Sequence, residues 1–497
     1  MSETRLLIAN RGEIATRIIR ACRDLGITPV AVYSETDRMS LHVRLADYAV
    51  PIGPAPARES YLVPQKILDA AKRTGATLVH PGYGFLAENA AFAQAVIDAG
   101  LTWVGPSPAS ISAMGSKTAS RARMLAAGVP VVPGMTTPAK DAEEIAAFGD
   151  ANGFPLLLKA AAGGGGKGMR VVRSRDEVPA AFARAQSEAK SYFADAAVYA
   201  EHFVENPRHI EVQVLGDATG KVLALGEREC SLQRRHQKVL EECPSAAVTP
   251  DLRRRMEEVA VAAAKAVNYV SAGTVEFLLA KDGRFFFLEM NTRIQVEHPV
   301  TEAVYGVDLV TEMIRIAMGE PMSIVARPEP RGHALQCRIY AEDAANNFAP
   351  SPGKIHRLRR PQGPGIRVDS GIEEGDVVPL DYDPMVAKFV VWGTDRDEAI
   401  RRALRALGEA RVEGIETSIP FFLALLQDPD VLANRVSTQF LDGWAYRPTA
   451  PTPLQRDASF AAAALDAASR ATASRPDPAR AGGSAWRSAR PTFGVRE

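Results

Sequence analysis

The sequence predicts a mixed α/β and α+β protein, and three observations predict it. Residues 1–112 alternate short apolar runs with helical patterns, which points to a doubly wound parallel sheet. Residues 333–445 hold antiparallel-looking runs followed by one helix, the pattern of an α+β domain. Between them, Asp282-Gly283 is flanked by two apolar runs, the strongest short-range hairpin signal. A chain of 497 residues has room for roughly three domains. The expected units are 1–112, 113–320, 333–445 and a Pro/Ala/Ser/Arg-rich tail at 446–497 with one short Ala-rich helix.

In the first unit, runs 6–10, 30–34, 77–82 and 101–105 read as strands, and 13–25, 63–74 and 88–99 as helices. The first strand-to-helix turn, Asn10-Arg11-Gly12-Glu13, lacks the glycines of a dinucleotide fingerprint. His80-Pro81-Gly82-Tyr83-Gly84-Phe85 ends a strand, where such sheets place ligands; a Gly/Pro turn with a packed Tyr reads equally well.

Residues 106–116 look like a linker, and a helix follows from Ser116 with Lys117 in its first turn. In FPLLLKAAAGGGGKGMRVVRS a strand ends near Lys159, four glycines follow, and a strand begins at Met169. Glycine runs let backbone N–H groups line a phosphate. Lys167-Gly168 and the following strand exclude a P-loop, so a Gly-rich hairpin over phosphates fits better; a flexible surface loop would use glycine too. A further strand, 198–205, ends in a hinge-like Glu201–Val204 segment. The run 227–244 packs Arg228, Arg234, Arg235, His236 and Lys238 beside Gln233 and Gln237, between apolar strands. Its default reading is a solvated charge run, and the glutamines and histidine favour a polar-ligand site. Residues 251–267 form an amphipathic helix.

A two-residue turn at Asp282-Gly283 would set Ala280 against Phe285, Leu278 against Phe287 and Glu276 against Glu289. Facing carboxylates on an apolar face repel, so either one is protonated or a cation sits between them. Alternation places Asn291 on that face too. Glu, Glu and Asn are hard oxygen ligands that suit Mg²⁺ shared with phosphate oxygens. The opposite face, Val275, Phe277, Leu279, Phe286 and Leu288, is also apolar, which makes the hairpin central. Beyond it, the strand continues with Arg293, Gln295 and Glu297 on one side, an Arg–carboxylate set able to hold an anion and accept a proton. Arg338 falls in the first strand of the third domain.

Composition excludes several classes. Lys+Arg and Asp+Glu are both 59, so nothing steers the chain toward nucleic acid or acidic membranes. Cys22, Cys230, Cys243 and Cys337 form no CxxC pair, which argues against a zinc site or disulfide framework and fits a reducing cytoplasm. No apolar run is long enough for a membrane span or signal peptide.

IANRGEIA, HPGYGFLAEN, KAAAGGGGKGM, RRHQKV and EMNTRIQVEHPVTE, in this order, resemble the biotin carboxylase component of biotin-dependent carboxylases, which are ATP-grasp enzymes. The resemblance covers residues 4 to about 445. It implies an ATP-grasp fold of three lobes, with a mobile Gly-rich lid (131–203) in the central domain. It implies carboxylation of biotin by bicarbonate with ATP, through carboxyphosphate. By motif position, Lys117, Lys159, Gly165, Gly166, Glu201, His202, Phe203, Val204, His209, Gln233, His236 and Leu278 would contact ATP. Glu276, Glu289 and Asn291 would hold Mg²⁺ or Mn²⁺. Lys238, Arg293, Gln295, Val296 and Glu297 would form the bicarbonate site with Glu297 as general base, and Arg338 and Tyr83 would meet biotin or its enolate.

Fused members attach biotin within a Met-Lys-Met motif, and no Met-Lys dipeptide occurs here. The expected partners are therefore a biotin carboxyl carrier protein and an acyl-CoA- or pyruvate-specific carboxyltransferase as separate chains, with a homodimer for this one. A different ATP-grasp ligase, joining an acyl phosphate to an amine, would share the hairpin and glycine lid but not the 233–238 and 293–297 segments.

Overall fold

The computed structural model describes residues 4–161, 169–193, 195–448 and 453–473. The chain divides into two compact units, 1–446 and 447–497. In the second, Pro453–Ala473 is a helix of 21 residues, longer than the short one expected, as its alanine content favours.

The first unit opens with a parallel sheet of β1 (Arg5–Ile8), β2 (Thr28–Ser34), β3 (Tyr48–Gly53), β4 (Leu78–His80) and β5 (Thr102–Trp103). The order is β3-β2-β1-β4-β5. β1 and the residue after it feed two separate cores, Leu6 and Ile8 one and Leu7 and Ala9 the other, so the sheet is buried on both faces. Helices Gly12–Asp24, Pro64–Thr74 and Ala90–Asp98 lie where the sequence places them. Strand β3 escapes sequence reading because it contains Pro51, which is tolerated at this sheet edge. The expected linker at 106–116 is a helix, Pro108–Gly115. Ser107 Oγ caps it by accepting from the Ser110 N–H at 3.1 Å, with proline at its start.

A small antiparallel sheet follows, β7-β6-β8, made of β6 (Leu156–Ala160), β7 (Arg170–Val172) and β8 (Val198–His202). The glycines expected to form a mobile lid, including Gly165 and Gly166, lie outside the described residues.

The main sheet has eight strands. They are β9 (Arg208–Gly216), β10 (Val222–Arg234), β11 (Gln237–Cys243), β12 (Ser271–Leu279), β13 (Phe285–Asn291), β14 (His333–Tyr340), Met385–Gly393 and Ile366–Ser370. In space, β13-β12-β9-β10-β11-β14 is followed by Met385–Gly393 and Ile366–Ser370. Pairing of Glu241 with Gln336 joins β11 to β14, so the C-terminal strands extend this sheet instead of building their own. The charge run at 227–244 is itself a hairpin of β10 and β11. Its two-residue turn holds Arg235 and His236 at φ 52 and 64. Such turns favour Asn-Gly, so Arg-His gives the sequence reader no cue.

The β12–β13 hairpin differs from expectation in three linked ways. Its loop is Lys281-Asp282-Gly283, closed by the Ala280 N–H donating to Arg284 O at 2.8 Å, with Gly283 at φ +82. That extra residue shifts the pairing to Leu279↔Phe285 and Phe277↔Phe287. A β-bulge then restores Glu276↔Glu289 and Thr274↔Asn291. The carboxylates face each other as predicted because the two shifts cancel. The shift also turns Phe285 and Phe287, not Phe286 and Leu288, into the core with Val275, Phe277 and Leu279. Nor is the hairpin central. β13 is an edge strand, covered where the Phe287 N–H donates to Pro130 O at 2.7 Å.

A second bulge, between Ala224 and Glu227, sets Arg228 opposite Glu211. Gly226 allows it, at φ +74 and so close to Tyr305 that an added Cβ would lie 1.8 Å from the phenol oxygen. Gly226→Ala is expected to destabilise the protein by roughly 2–4 kcal/mol through backbone strain and overpacking. An unchanged urea midpoint would contradict this reading of the bulge.

Candidate active site

Strands β8 to β14 and the segment after β13 wall a cavity of about 510 Å³. Its lining includes Lys159, Glu201, His202, Phe203, Val204, His209, Gln233, His236, Lys238, Glu276, Leu278, Glu289, Asn291, Arg293, Gln295, Val296, Glu297 and Arg338. Most residues singled out from sequence are thus brought together. Lys117 begins the helix Lys117–Ala126 as expected. Tyr83 does not line the cavity; its phenol donates to Glu13.

Lys238 is the centre of the charge arrangement. Its Nζ donates to Glu276 Oε1 at 2.8 Å, to Glu297 Oε1 at 2.7 Å and to Glu211. Burial opposes its charge, but these three carboxylates hold its pKa well above the usual lysine range. In turn, burial would raise Glu276, yet Lys238 and then His209 hold that carboxylate well below its ordinary value. His209 Nε2 lies 3.2 Å from Glu276 Oε2 without hydrogen-bond geometry, so the attraction is one of charge. Against the effect of burial, Glu276 lifts the His209 pKa to about 9.

Asn291 Nδ2 and Gln295 Nε2 each donate to Glu276 Oε1 at 2.8 Å. The half-buried Glu289 pairs with Glu276 across the β12–β13 ladder, and Glu276, Glu289 and Asn291 line the same cavity, offering oxygen donors from two adjacent strands. This set fits a hard cation such as Mg²⁺. Two acid clusters with ligand-like spacing, His209–Glu211–Glu276 and Glu211–Cys230–Glu297, belong to the same site. Lys238 already joins their carboxylates, and burial pushes the Cys230 thiol far up, which disfavours a soft metal.

The segment after β13 is not a strand, because β13 ends at Asn291 and helix His298–Tyr305 starts with Pro299 at its first turn. Arg293, Gln295 and Glu297 still line one cavity, but the expected Arg293–Glu297 pair does not form. Arg293 Nε donates to Glu88 Oε2 and its NH2 to Asn291 Oδ1, both at 2.8 Å. Glu297 instead accepts from Arg338 NH2 at 3.0 Å. Arg338 Nε donates to Glu241 Oε1 at 2.6 Å. Burial lifts Glu241 to about 7, opposed by Arg338. Elsewhere in the lining, Lys159 of β6 donates to Glu201 of β8.

Sequence reasoning passed over Glu211, Glu241 and the role of Arg228. Arg228 is fully buried and distributes its donors over Glu211, Gln213, Thr301, Thr274 and Gln295, the last at 2.6 Å. The signal was present in β9, where Glu211 and Gln213 alternate with Ile210, Val212 and Val214: a polar face inside a buried strand.

Residues 2–111 match the biotin carboxylase N-terminal domain, 116–325 the carbamoyl-phosphate synthase L chain ATP binding domain, and 336–443 the biotin carboxylase C-terminal domain. The chain is 49% identical to a biotin carboxylase of Nostoc sp. over 89% of its length and 99% of that protein's. It is 50% identical to a pyruvate carboxylase subunit from Methanothermobacter thermautotrophicus, covering 88% and 89%. The structure resembles a Campylobacter jejuni biotin carboxylase in an ATP complex with a TM-score of 0.86 at 43% identity, covering 88% and 98%. It also resembles the Hydrogenobacter thermophilus 2-oxoglutarate carboxylase biotin carboxylase domain, a dimer with MgADP and bicarbonate, with a TM-score of 0.84 at 44% identity, covering 88% and 97%. An ATP-grasp core between two such end domains defines an ATP-dependent carboxylating ligase. The chain belongs to the biotin carboxylase family.

Glu276→Gln and Glu289→Gln are each expected to lose most ATPase activity at ordinary Mg²⁺. Raised Mg²⁺ should restore part of it, because one neutral amide weakens a hard-cation site without removing it. Near-normal activity of either variant at low Mg²⁺ rules out its place in the metal set.

Proposed function

We propose that this chain carboxylates the ureido nitrogen of biotin on a carrier protein, using bicarbonate and ATP with carboxyphosphate as the intermediate. The observation that supports this most is Lys238, which holds Glu276 on the metal side and Glu297 on the anion side of one cavity. Glu201, His202, Phe203, Val204, His209, Gln233, His236 and Leu278, with Lys117, Lys159, Gly165 and Gly166, take ATP. Glu276, Glu289 and Asn291 would hold Mg²⁺, which would supply positive charge against the transferring phosphoryl group.

Arg293, Gln295, Val296 and Lys238 orient bicarbonate, and Glu297 accepts its proton as an oxygen attacks the γ-phosphoryl group. Bond formation to phosphorus and departure of ADP give carboxyphosphate. The C–O bond of carboxyphosphate then breaks, and the released phosphate takes the ureido N–H proton. As the nitrogen takes the carboxyl group, Arg338, clamped by Glu241, stabilises negative charge on the biotin ureido oxygen. Tyr83 supports the biotin side from behind the wall.

The carrier and the carboxyltransferase are separate chains of an acyl-CoA or pyruvate carboxylase complex, the chain itself pairs as a homodimer, and the site of action is the cytoplasm. The four units at 1–112, 113–320, 333–445 and 446–497 are its working divisions.

The test is ATP hydrolysis with bicarbonate and free biotin, measured beside carboxybiotin formation. Hydrolysis should need both substrates, and activity with an amine acceptor instead would favour the amine-ligase reading. Arg338→Ala should keep ATP affinity and melting temperature while lowering biotin carboxylation by about 10²-fold. Glu297→Ala should abolish carboxyphosphate formation as well. If Arg338→Ala loses ATP binding as badly as Glu276→Gln, its catalytic assignment is wrong.

A further inference from the structure

Another buried ammonium lies behind the wall that carries Val296. Lys388 sits within the strand Met385–Gly393, is fully shut off from solvent and does not line the cavity. Its Nζ donates to the carbonyl oxygen of Val296 at 3.1 Å and lies 3.0 Å from Glu13 Oε2. Asp369 Oδ2 is 3.9 Å away. Glu13 Oε1 accepts from the phenol of Tyr83, whose ring centre is 5.9 Å from the same ammonium. Gly371 closes the arrangement, so near Glu13 that an added Cβ would lie 2.6 Å from its backbone nitrogen. Residues 13, 83, 296 and 388 thus meet around one charge.

A fully buried lysine must find partners for its donors, and these could have been carboxylates alone. Here one donor goes to a backbone carbonyl in the middle of the 293–297 segment. Gln295 and Glu297 flank that carbonyl and both face the cavity. With β13 ended at Asn291, no strand ladder fixes this backbone. We infer that Lys388 is a positioning residue for carboxyl transfer: it fixes the Val296 carbonyl, and through Glu13 the Tyr83 phenol, so one charge registers the bicarbonate side of the site against the biotin side. The inference rests on the proposed roles of segment 293–297 and Tyr83.

The pair must be separated from a plain buried ion pair. Removing one member strands a charge, whereas replacing both by neutral side chains of similar size is often nearly neutral for stability. Lys388→Met and Lys388→Met/Glu13→Gln should therefore differ in melting temperature, the double variant recovering most of the loss. Its bicarbonate KM should nonetheless stay raised, or its biotin-dependent kcat lowered, by about 10- to 100-fold, the scale of small misplacements at a reacting centre. Its KM for ATP should stay within about threefold, well under one factor of ten in binding. A double variant with recovered melting temperature and wild-type bicarbonate KM and kcat would overturn the inference.

Lys388→Arg is the second arm, needed if the double variant does not fold. It keeps the charge against Glu13 but replaces a point donor by a planar fork. It should melt near the wild type and still show the bicarbonate or biotin defect with normal ATP affinity; wild-type kinetics in this variant would also overturn the inference. The unaltered protein is the control. If it lacks bicarbonate- and biotin-dependent ATPase, the proposed function fails, and that outcome is distinct from a variant-specific result.

Discussion

Three buried carboxylates, Glu211, Glu276 and Glu297, surround a single ammonium, Lys238 Nζ. Two unit charges about 4 Å apart interact by about 4 kcal/mol at an effective dielectric near 20. Like charges at that strength would open the sheet unless a cation held them. Lys238 supplies that cation from β11, Arg228 backs it from β10 and His209 from β9. Acidic side chains from β9 and β12 thus meet basic ones from β10 and β11, with His209 of β9 between them. This constraint explains why the β10 bulge matters: it places Arg228 opposite Glu211.

The same arrangement separates two kinds of chemistry. Glu276 faces oxygen donors suited to a hard cation. Glu297 faces Arg338 and lines the cavity with Arg293 and Gln295. Because Lys238 touches both, a change of charge on one side is felt on the other through one atom. The main sheet carries this coupling past the expected domain boundary, since β11 and β14 pair directly and bring Glu241 to Arg338.

Much of this was legible in the sequence where local chemistry speaks alone. The parallel α/β unit followed from alternation of apolar runs and helical patterns, and the facing carboxylates from Asp282-Gly283. Yet Glu276 and Glu289 face each other only because a three-residue loop and a bulge offset one another. No periodicity rule sees a bulge, and the swap of Phe286 and Leu288 for Phe285 and Phe287 in the core has the same origin. Pro51 masked an edge strand, Ser107 a cap, and Arg235-His236 a tight turn. The partners of Lys238 and Lys388 come from segments far apart in sequence, which only the fold brings together. Family motifs supplied many of the site residues that local patterns could not.

The most direct measurement is the pH dependence of stability in Lys238→Met, melted beside the wild type at pH 6 and pH 8 without divalent cations. Without the ammonium, the facing carboxylates repel and their folded-state pKa values rise. They then bind more protons folded than unfolded, so stability should fall as pH rises. The account predicts a clearly larger loss of melting temperature relative to wild type at pH 8 than at pH 6. An equal loss at both, or none, would contradict a site organised around that charge.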